Sequence, residues 1–174
     1  MRRIPLILAF LIAFAFTGSA QNPTKWSLEV PGAGGAIKKD EKVTVTLKAA
    51  VEPGWHLYAL DQPKGGPIAT TIKVSEGSPF AIAGEIVSDK PFIEPDPNFI
   101  VEGKPLETKF YKDSAAFRVP LQAISETSAE NVAIDVRFQL CDDTLCLPPR
   151  TKRVTVAGEE DAKRPPATAT QTPA

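Results

Sequence analysis

Apolar and polar residues alternate along several stretches of the chain, which is the pattern of an extended strand with one buried face. The clearest case runs from Val132 to Leu140, where every second residue is apolar and most residues between them are polar. Similar alternation covers residues 26–30, 43–49 and 117–121. We therefore predict a strand in each of these stretches, with its apolar side chains in a core.

Clusters of Pro, Gly, Asp and Asn separate the alternating runs, at residues 31–35, 52–54, 63–67 and 95–98. Such clusters mark turns, and no stretch after the first twenty residues keeps the 3.6-residue apolar period of a helix. Eight or nine short strands between residues 24 and 157 predict an all-β domain, an immunoglobulin-like β-sandwich. An antiparallel barrel is the alternative.

One segment, residues 90–108, differs from the rest because prolines interrupt it and no pairing partner is evident. We predict a long connection here. Long connections without secondary structure are often functional or mobile, and the alternative is a surface connection without a role of its own.

The two ends of the chain have compositions unlike that of a folded domain. Residues 1–20 consist of a basic start, an apolar run and a small-residue end, the pattern of a secretory signal peptide. Residues 158–174 contain no aromatic residue and no Ile, Leu or Val, which predicts a disordered tail. The folded domain is then expected to occupy residues 21–157.

Composition excludes several functional classes. The net charge is −1 with no basic stripe, so nucleic acid is not an expected partner. One histidine and two cysteines are too few for the common structural zinc sites, and too few for a disulfide-dense small scaffold. We predict no metal and no cofactor. His56 is expected to be structural, and the acids Glu94, Asp96 and Glu102 to be solvated loop charges.

The two cysteines, Cys141 and Cys146, directly follow the strongest predicted strand. Cys141 continues the polar side of that strand, so we expect it to project to the outer face, near the tip of a hairpin. A disulfide is the default state in an exported protein. The short ring and outward placement favour a redox role, while a structural disulfide or a metal ligand pair remain alternatives.

The residues between the cysteines suggest how such a redox pair would react. Asp142 and Asp143 lie next to any thiolate that forms, and like charges raise a thiol pKa. No helix N-terminus is predicted nearby to offset them. The pair therefore suits a disulfide that is attacked by a partner's thiolate better than a strongly nucleophilic dithiol.

The segment from Phe138 to Pro149, with its Gln-Leu-Cys-Asp-Asp-Thr-Leu-Cys-Leu-Pro-Pro order, resembles the active-site segment of the N-terminal domain of the thiol:disulfide interchange protein DsbD. Two further segments, Gly54–Tyr58 and Phe110–Asp113, are similar to that family's strands, and the resemblance spans residues 26–157. It implies an immunoglobulin-like domain in the periplasm, a thiol–disulfide oxidoreductase type of electron carrier.

The resemblance also implies roles for individual residues. Cys141 and Cys146 would be the redox pair, with Cys146 joining the partner in a mixed disulfide. The family's flexible cap corresponds to residues 98–108, with Phe99 or Ile100 shielding the pair. Tyr58 and Trp55 would pack around the pair, with Asp142 and Asp143 beside it.

The expected partners follow from the same resemblance. They are a thioredoxin-like periplasmic protein and a membrane electron-transfer protein acting in trans, because the family's membrane and thioredoxin-like domains are not in this sequence. The spacing departs from the best-known members by one residue, since four residues separate the cysteines. The alternative is an immunoglobulin-like binding or scaffold module whose disulfide is purely structural.

Overall fold

A computed structural model describes residues 22–32 and 34–162. The prediction of an all-β, immunoglobulin-like sandwich is confirmed: within these residues the chain forms strands and one short 3-10 helix, Ala129–Asn131. In chain order the strands are β1 Thr24–Glu29, β2 Ala36–Ile37, β3 Lys42–Val51, β4 His56–Tyr58, β5 Thr71–Val74, β6 Phe80–Ile82, β7 Val87–Ser88, β8 Phe92–Val101, β9 Lys104–Tyr111, β10 Ser114–Ala123, β11 Thr127–Ser128, β12 Ala133–Phe138, β13 Leu140–Cys141, β14 Arg150–Thr155 and β15 Gly158–Asp161.

The largest sheet has the strand order β1-β3-β10-β6, and β7 also pairs with β10. All of these pairs are antiparallel. Leu47 on β3 lies opposite both Leu28 on β1 and Phe117 on β10, and all three side chains are buried. The alternation in the sequence therefore produces one apolar face that packs into the core and one polar face outside.

Two four-stranded sheets complete the domain, with orders β15-β14-β12-β5 and β13-β4-β9-β8, and β2 and β11 form a small separate ribbon. Trp26 on β1 packs between Phe117 of its own sheet, at a ring-centroid distance of 6.0 Å, and Phe138 on β12, at 5.2 Å. The inner faces of the sheets thus meet in a single apolar core. The sheet β13-β4-β9-β8 carries Cys141 on β13, and Cys146 lies in the connection that follows β13.

The prediction for residues 90–108 is wrong in one respect, because most of this segment is paired. β8 and β9 form an antiparallel hairpin, which we call the cap hairpin, with an irregular register between Asp96 and Ile100. Its turn places Glu102 at φ 51° and Gly103 at φ 77°, and two left-handed residues suit the right-handed twist of a tight hairpin. Pro95 and Pro97 are tolerated because they lie on β8, an edge strand.

The described part of the chain ends with a paired strand, β15. The sequence predicts a disordered tail from Gly158 onward, but β15 (Gly158–Asp161) pairs with β14, and Glu159 accepts a hydrogen bond from the Trp26 backbone amide at 2.7 Å. The predicted signal peptide and the rest of the expected tail lie outside the described residues. In the part of the chain that is described, no helix has the length and apolar character required to cross a membrane.

Candidate functional site

Cys141 and Cys146 form a disulfide within the connection between β12 and β14, residues 139–149, which we call the cysteine loop. The loop closes on itself, because the Asp142 amide donates to the Leu145 carbonyl at 2.9 Å and the Leu147 amide donates to the Leu140 carbonyl at 2.8 Å. The disulfide therefore joins the two sides of one small, tight turn.

The start of the cysteine loop leaves the sheet of β12 and pairs instead with β4. Leu140 lies opposite Leu57, and Cys141 lies opposite His56. Leu140 and Leu57 are part of the main core, so Cys141, the next residue, points to the other face of this sheet. The predicted side for Cys141 is thus the one observed.

The predicted exposure of Cys141 is wrong. Its exposed fraction is 0%, while Cys146 is only partly buried. This burial arises from side chains that pack on the same face of the sheet, two of them from the cap hairpin. Cys141 forms a second apolar cluster with Tyr58 and Phe110, against which Phe99 and Cys146 pack. We call Tyr58, Phe110, Cys141 and Cys146 the sulfur cluster, and Phe99 packs against it.

Of the two residues expected to shield the pair, Phe99 packs against the sulfur cluster. Its ring meets the Tyr58 ring edge-on, with centroids 6.0 Å apart and planes at 88°. Ile100, the other residue considered for this role, is 57% exposed and is not part of the sulfur cluster. The irregular register of β8 between Asp96 and Ile100 lies at the segment that carries Phe99.

Asp96 is a buried carboxylate, not the solvated loop charge that the sequence suggested. Its exposed fraction is 3%. Oδ2 accepts hydrogen bonds from the Tyr58 hydroxyl at 2.7 Å and from the Thr108 hydroxyl at 3.1 Å. Oδ1 accepts one from the backbone amide of Asn98 at 2.9 Å. These bonds satisfy a charge that would otherwise be costly to bury.

Tyr58 is fully buried beside the disulfide. Burial, followed by the hydrogen bond to the Asp96 carboxylate and that group's charge, raises the pKa of Tyr58 far above its ordinary value of 10.0. The hydroxyl is therefore a fixed donor to Asp96 at physiological pH. It links the floor of the site, on β4, to the cap hairpin.

A second polar contact ties the cap hairpin to the cysteine loop. The Asn98 side-chain amide donates to the Asp142 carbonyl at 2.7 Å. The Asp142 carboxylate in turn accepts bonds from the backbone amides of Thr144 and Leu145, both at 2.7 Å. The bonds from Thr144, together with that from Leu145, lower the pKa of Asp142, so its ionised form shapes the turn between the cysteines.

Trp55 and Asp143, which were also expected near the pair, are not part of the sulfur cluster. Trp55 is partly buried against the main core and does not belong to the sulfur cluster. Asp143 is exposed on the cysteine loop. Among the described residues, no group of three or more His, Cys, Asp or Glu side chains is arranged to hold a metal ion.

Sequence reasoning gave no site role to Asp96, Asn98 and Thr108, all of which lie on the cap hairpin. One signal for that hairpin was present: Glu102-Gly103 sits between two β-prone runs, and an X-Gly pair of this kind favours a tight hairpin turn. Recognising it would have placed Thr108 and Asp96 on neighbouring strands.

Comparison with known proteins gives one family match. Residues 28–158 match the family described as thiol:disulfide interchange protein DsbD, N-terminal. No curated protein matches the sequence. Among solved structures, the crystal structure of the N-terminal periplasmic domain of ScsB from Proteus mirabilis aligns with 16% identity and a TM-score of 0.42, over 79% of this chain. This chain covers 53% of that one, about half its length.

Proposed function

The chain belongs to the family of N-terminal domains of the thiol:disulfide interchange protein DsbD and is a thiol–disulfide interchange domain. From this premise we propose that the Cys141–Cys146 disulfide is its redox centre. It accepts two electrons from a reduced thioredoxin-like donor and passes them to disulfides of other exported proteins.

The unequal burial of the two cysteines carries this proposal. Cys146 is partly buried at the rim, whereas Cys141 is completely buried beneath the cap hairpin. A thiolate can attack a disulfide only at a sulfur it can reach. The partner's thiolate therefore attacks Cys146, the S–S bond breaks, and the electron pair leaves on Cys141. A second partner thiol then displaces Cys146 and completes the two-electron transfer.

The contacts of the cap hairpin favour a disulfide whose access is regulated over a disulfide with a purely structural role. Phe99 packs against the sulfur cluster, and a small number of polar contacts hold the hairpin there. We propose that the partner displaces Phe99 when it docks, so that the disulfide is protected from other thiols until then. Tyr58 lies beside Cys141 in the sulfur cluster, and Asp142 and Asp143 lie between the two cysteines in the chain.

The proposed cellular compartment and partners follow from the sequence and the family. A chain with the pattern of a cleaved leader is expected to act in the periplasm, where disulfides persist. A thioredoxin-like protein and a membrane electron-transfer protein acting in trans are the proposed partners. Neither nucleic acid nor a metal has a place in this proposal.

Trapping of a mixed disulfide tests the proposal. Cys141→Ala leaves Cys146 as the only thiol. We expect it to form a stable adduct with a thioredoxin-like protein that retains one active-site cysteine, activated as a mixed disulfide with an aromatic thiol, which is the leaving group. Cys146→Ala is the matched control, because it leaves only the buried Cys141, and we expect little or no adduct. Equal adduct formation by both variants, or none by either, would overturn the assignment of Cys146 as the attacked sulfur.

The reduction potential of the pair separates a carrier from a scaffold with a structural disulfide. Equilibration of the full chain with glutathione buffers of graded ratio gives this value. We expect a potential above about −300 mV, since structural disulfides in exported proteins generally lie below that value. A lower value would identify the disulfide as structural.

A further inference from the structure

His56 is the residue directly opposite Cys141 in the pairing of β4 with β13. Directly opposed residues on antiparallel strands point to the same face, with their Cβ atoms about 4.5–5.5 Å apart. The neighbouring pair, Leu57 and Leu140, faces the main core. His56 and Cys141 therefore share the face of this sheet that points away from the main core.

The imidazole is held in a fixed orientation on this face. It stacks on the Phe110 ring with centroids 4.3 Å apart and planes at 20°, and Phe110 itself belongs to the sulfur cluster with Cys141. Within the described residues, no side-chain hydrogen bond engages His56. Its ring nitrogens are thus free to exchange a proton, although the ring itself is positioned by packing.

The redox cycle creates a need for a proton acceptor near Cys141. To re-form the disulfide, the Cys141 thiol must lose its proton, and its side chain is completely buried from solvent. The buried oxygen groups of the sulfur cluster and cap are already engaged: Asp96 accepts three hydrogen bonds, and Tyr58 donates its hydroxyl to Asp96. The Asp142 carboxylate accepts amide bonds from its own turn.

The charges around His56 keep it in the form that can accept a proton. Burial and then Lys112 lower the pKa of His56 from its ordinary value of 6.5. The acids on the elements packed around it act in the other direction: Asp143 on the cysteine loop, and Asp96 and Glu94 on β8. Lys112 lies over the Phe110 ring at 5.2 Å and pairs with Glu94 at 3.1 Å.

We propose, on the premise that the Cys141–Cys146 pair is redox-active, that His56 is the proton-exchanging residue for Cys141. In the step that releases a client protein, Cys146 is joined to the client sulfur. The Cys141 thiol transfers its proton to the imidazole, and its thiolate attacks the Cys146 sulfur. The Cys141–Cys146 bond forms, the Cys146–client bond breaks, and the electron pair leaves on the client sulfur, which takes a proton from solvent.

A single-turnover reaction of the reduced full chain tests this role. An aromatic disulfide reagent that releases a coloured thiolate reports two phases: attack by Cys146, then displacement by Cys141. His56→Phe keeps the stacking on Phe110 but removes the proton acceptor. We expect the second phase to slow at least about tenfold at neutral pH, since a positioned general base typically contributes about 10²–10⁴-fold. The first phase is the internal control and stays unchanged.

The pH dependence of the second phase distinguishes proton exchange from a packing role. In the unaltered protein the rate reaches a plateau above the pKa of His56, whereas in His56→Phe it keeps rising toward the ordinary ionisation of a thiol at about 8.5. Lys112→Met removes the cation that lowers the His56 pKa, so the midpoint moves to higher pH. His56→Gln, which also lacks a base but stays polar, serves if His56→Phe does not fold.

An unchanged second phase with an unchanged pH profile in both His56 variants would overturn the role of His56. This result would leave the redox function intact, because the trapping experiment and the reduction potential test that function separately. Conversely, a structural reduction potential would end the redox proposal even if His56 accelerates the chemical reaction of the reduced pair.

Discussion

At the scale of single residues, the site depends on polar groups that are buried and fully bonded. Asp96 illustrates this, because its carboxylate joins Tyr58 on β4 to Thr108 on β9 and to the Asn98 amide near the cap tip. Removing one partner of such a buried charge leaves the charge under-satisfied, at a cost of about 1–3 kcal/mol or more. These residues therefore fix the position of the cap hairpin more strictly than apolar contacts alone would.

Asp142 gives a pH prediction at this scale. Its pKa is lowered below the ordinary value of 3.8, chiefly by the hydrogen bonds from Thr144. A carboxyl with a lowered folded-state pKa stabilises the folded turn above its ordinary pKa, and this contribution is lost as pH falls through the folded pKa. We expect the amide resonances of Thr144 and Leu145 to titrate together below pH 3.8, measured by NMR.

Asp142→Asn is the matched control for this titration, because an amide oxygen still accepts the two backbone bonds but carries no ionisable proton. The amide resonances of Thr144 and Leu145 should then lose their acid titration. If both resonances titrate unchanged in Asp142→Asn, a different group controls the turn and the assignment is wrong.

At the scale of elements, the cap hairpin and the cysteine loop form two separate structures that meet over the disulfide. Their meeting point is small: Phe99 rests on the sulfur cluster, and Asn98 donates to the Asp142 carbonyl at 2.7 Å. The main core does not depend on this contact, because Phe99 and Asn98 lie outside it. The cap can therefore be altered without loss of the sandwich.

Phe99→Ala should increase the rate at which a small thiol reduces the disulfide severalfold, since it removes an aromatic side chain packed against the cluster that contains Cys141. The stability of the domain should change much less than for a fully buried aromatic, since Phe99 is only partly buried. The rate is measured under excess dithiothreitol, by the appearance of free thiols.

Ile100→Ala is the control for Phe99→Ala. Ile100 is the adjacent residue, of comparable apolar character, but it is 57% exposed and outside the sulfur cluster. Its removal should leave the reduction rate close to that of the unaltered protein. Equal acceleration by both variants would mean that general loosening of the hairpin, and not loss of the Phe99 cover, controls access.

The alternation of apolar and polar residues predicted individual strands well but not what covers them, and only the family resemblance pointed to Phe99 or Ile100. The alternation from Val132 to Leu140 correctly assigned each side chain to one of two faces, because strand geometry is local. It could not reveal that the second face at Cys141 is buried, since the covering residue, Phe99, is distant in the chain. The burial of Asp96 was hidden for the same reason: its partners Tyr58 and Thr108 meet it only through strand pairing.

At the scale of the whole molecule, the core and the disulfide are separate sources of stability. Trp26, Phe117 and Phe138 join two sheets at the centre of the sandwich, whereas the disulfide closes a turn within one loop. A disulfide that closes a ring this short contributes about 2 kcal/mol in the chain-entropy model. Loss of a buried phenylalanine costs about 3–5 kcal/mol.

The double variant Cys141→Ala plus Cys146→Ala should therefore remain folded, with its free energy of unfolding lowered by about 2 kcal/mol. Phe138→Ala, in the main core, should cost more, about 3–5 kcal/mol. Urea unfolding followed by tryptophan fluorescence measures both. A double variant that loses more stability than Phe138→Ala would indicate that the disulfide supports the fold, as expected for a scaffold.

The short ring of the disulfide has an electrochemical consequence. The free energy by which the disulfide stabilises the folded state is lost when the bond is reduced. Folding therefore lowers the reduction potential by an amount that corresponds to the same free energy. At about 1.4 kcal/mol per 30 mV for a two-electron couple, a contribution of about 2 kcal/mol lowers the potential by only about 40 mV. A bridge that closed a 100-residue loop, at about 4.7 kcal/mol, would lower it by about 100 mV. Because Cys141 and Cys146 are joined within one turn, the fold lowers the potential of this disulfide less than a long-range bridge would, and the proposed redox cycle would leave the sandwich folded.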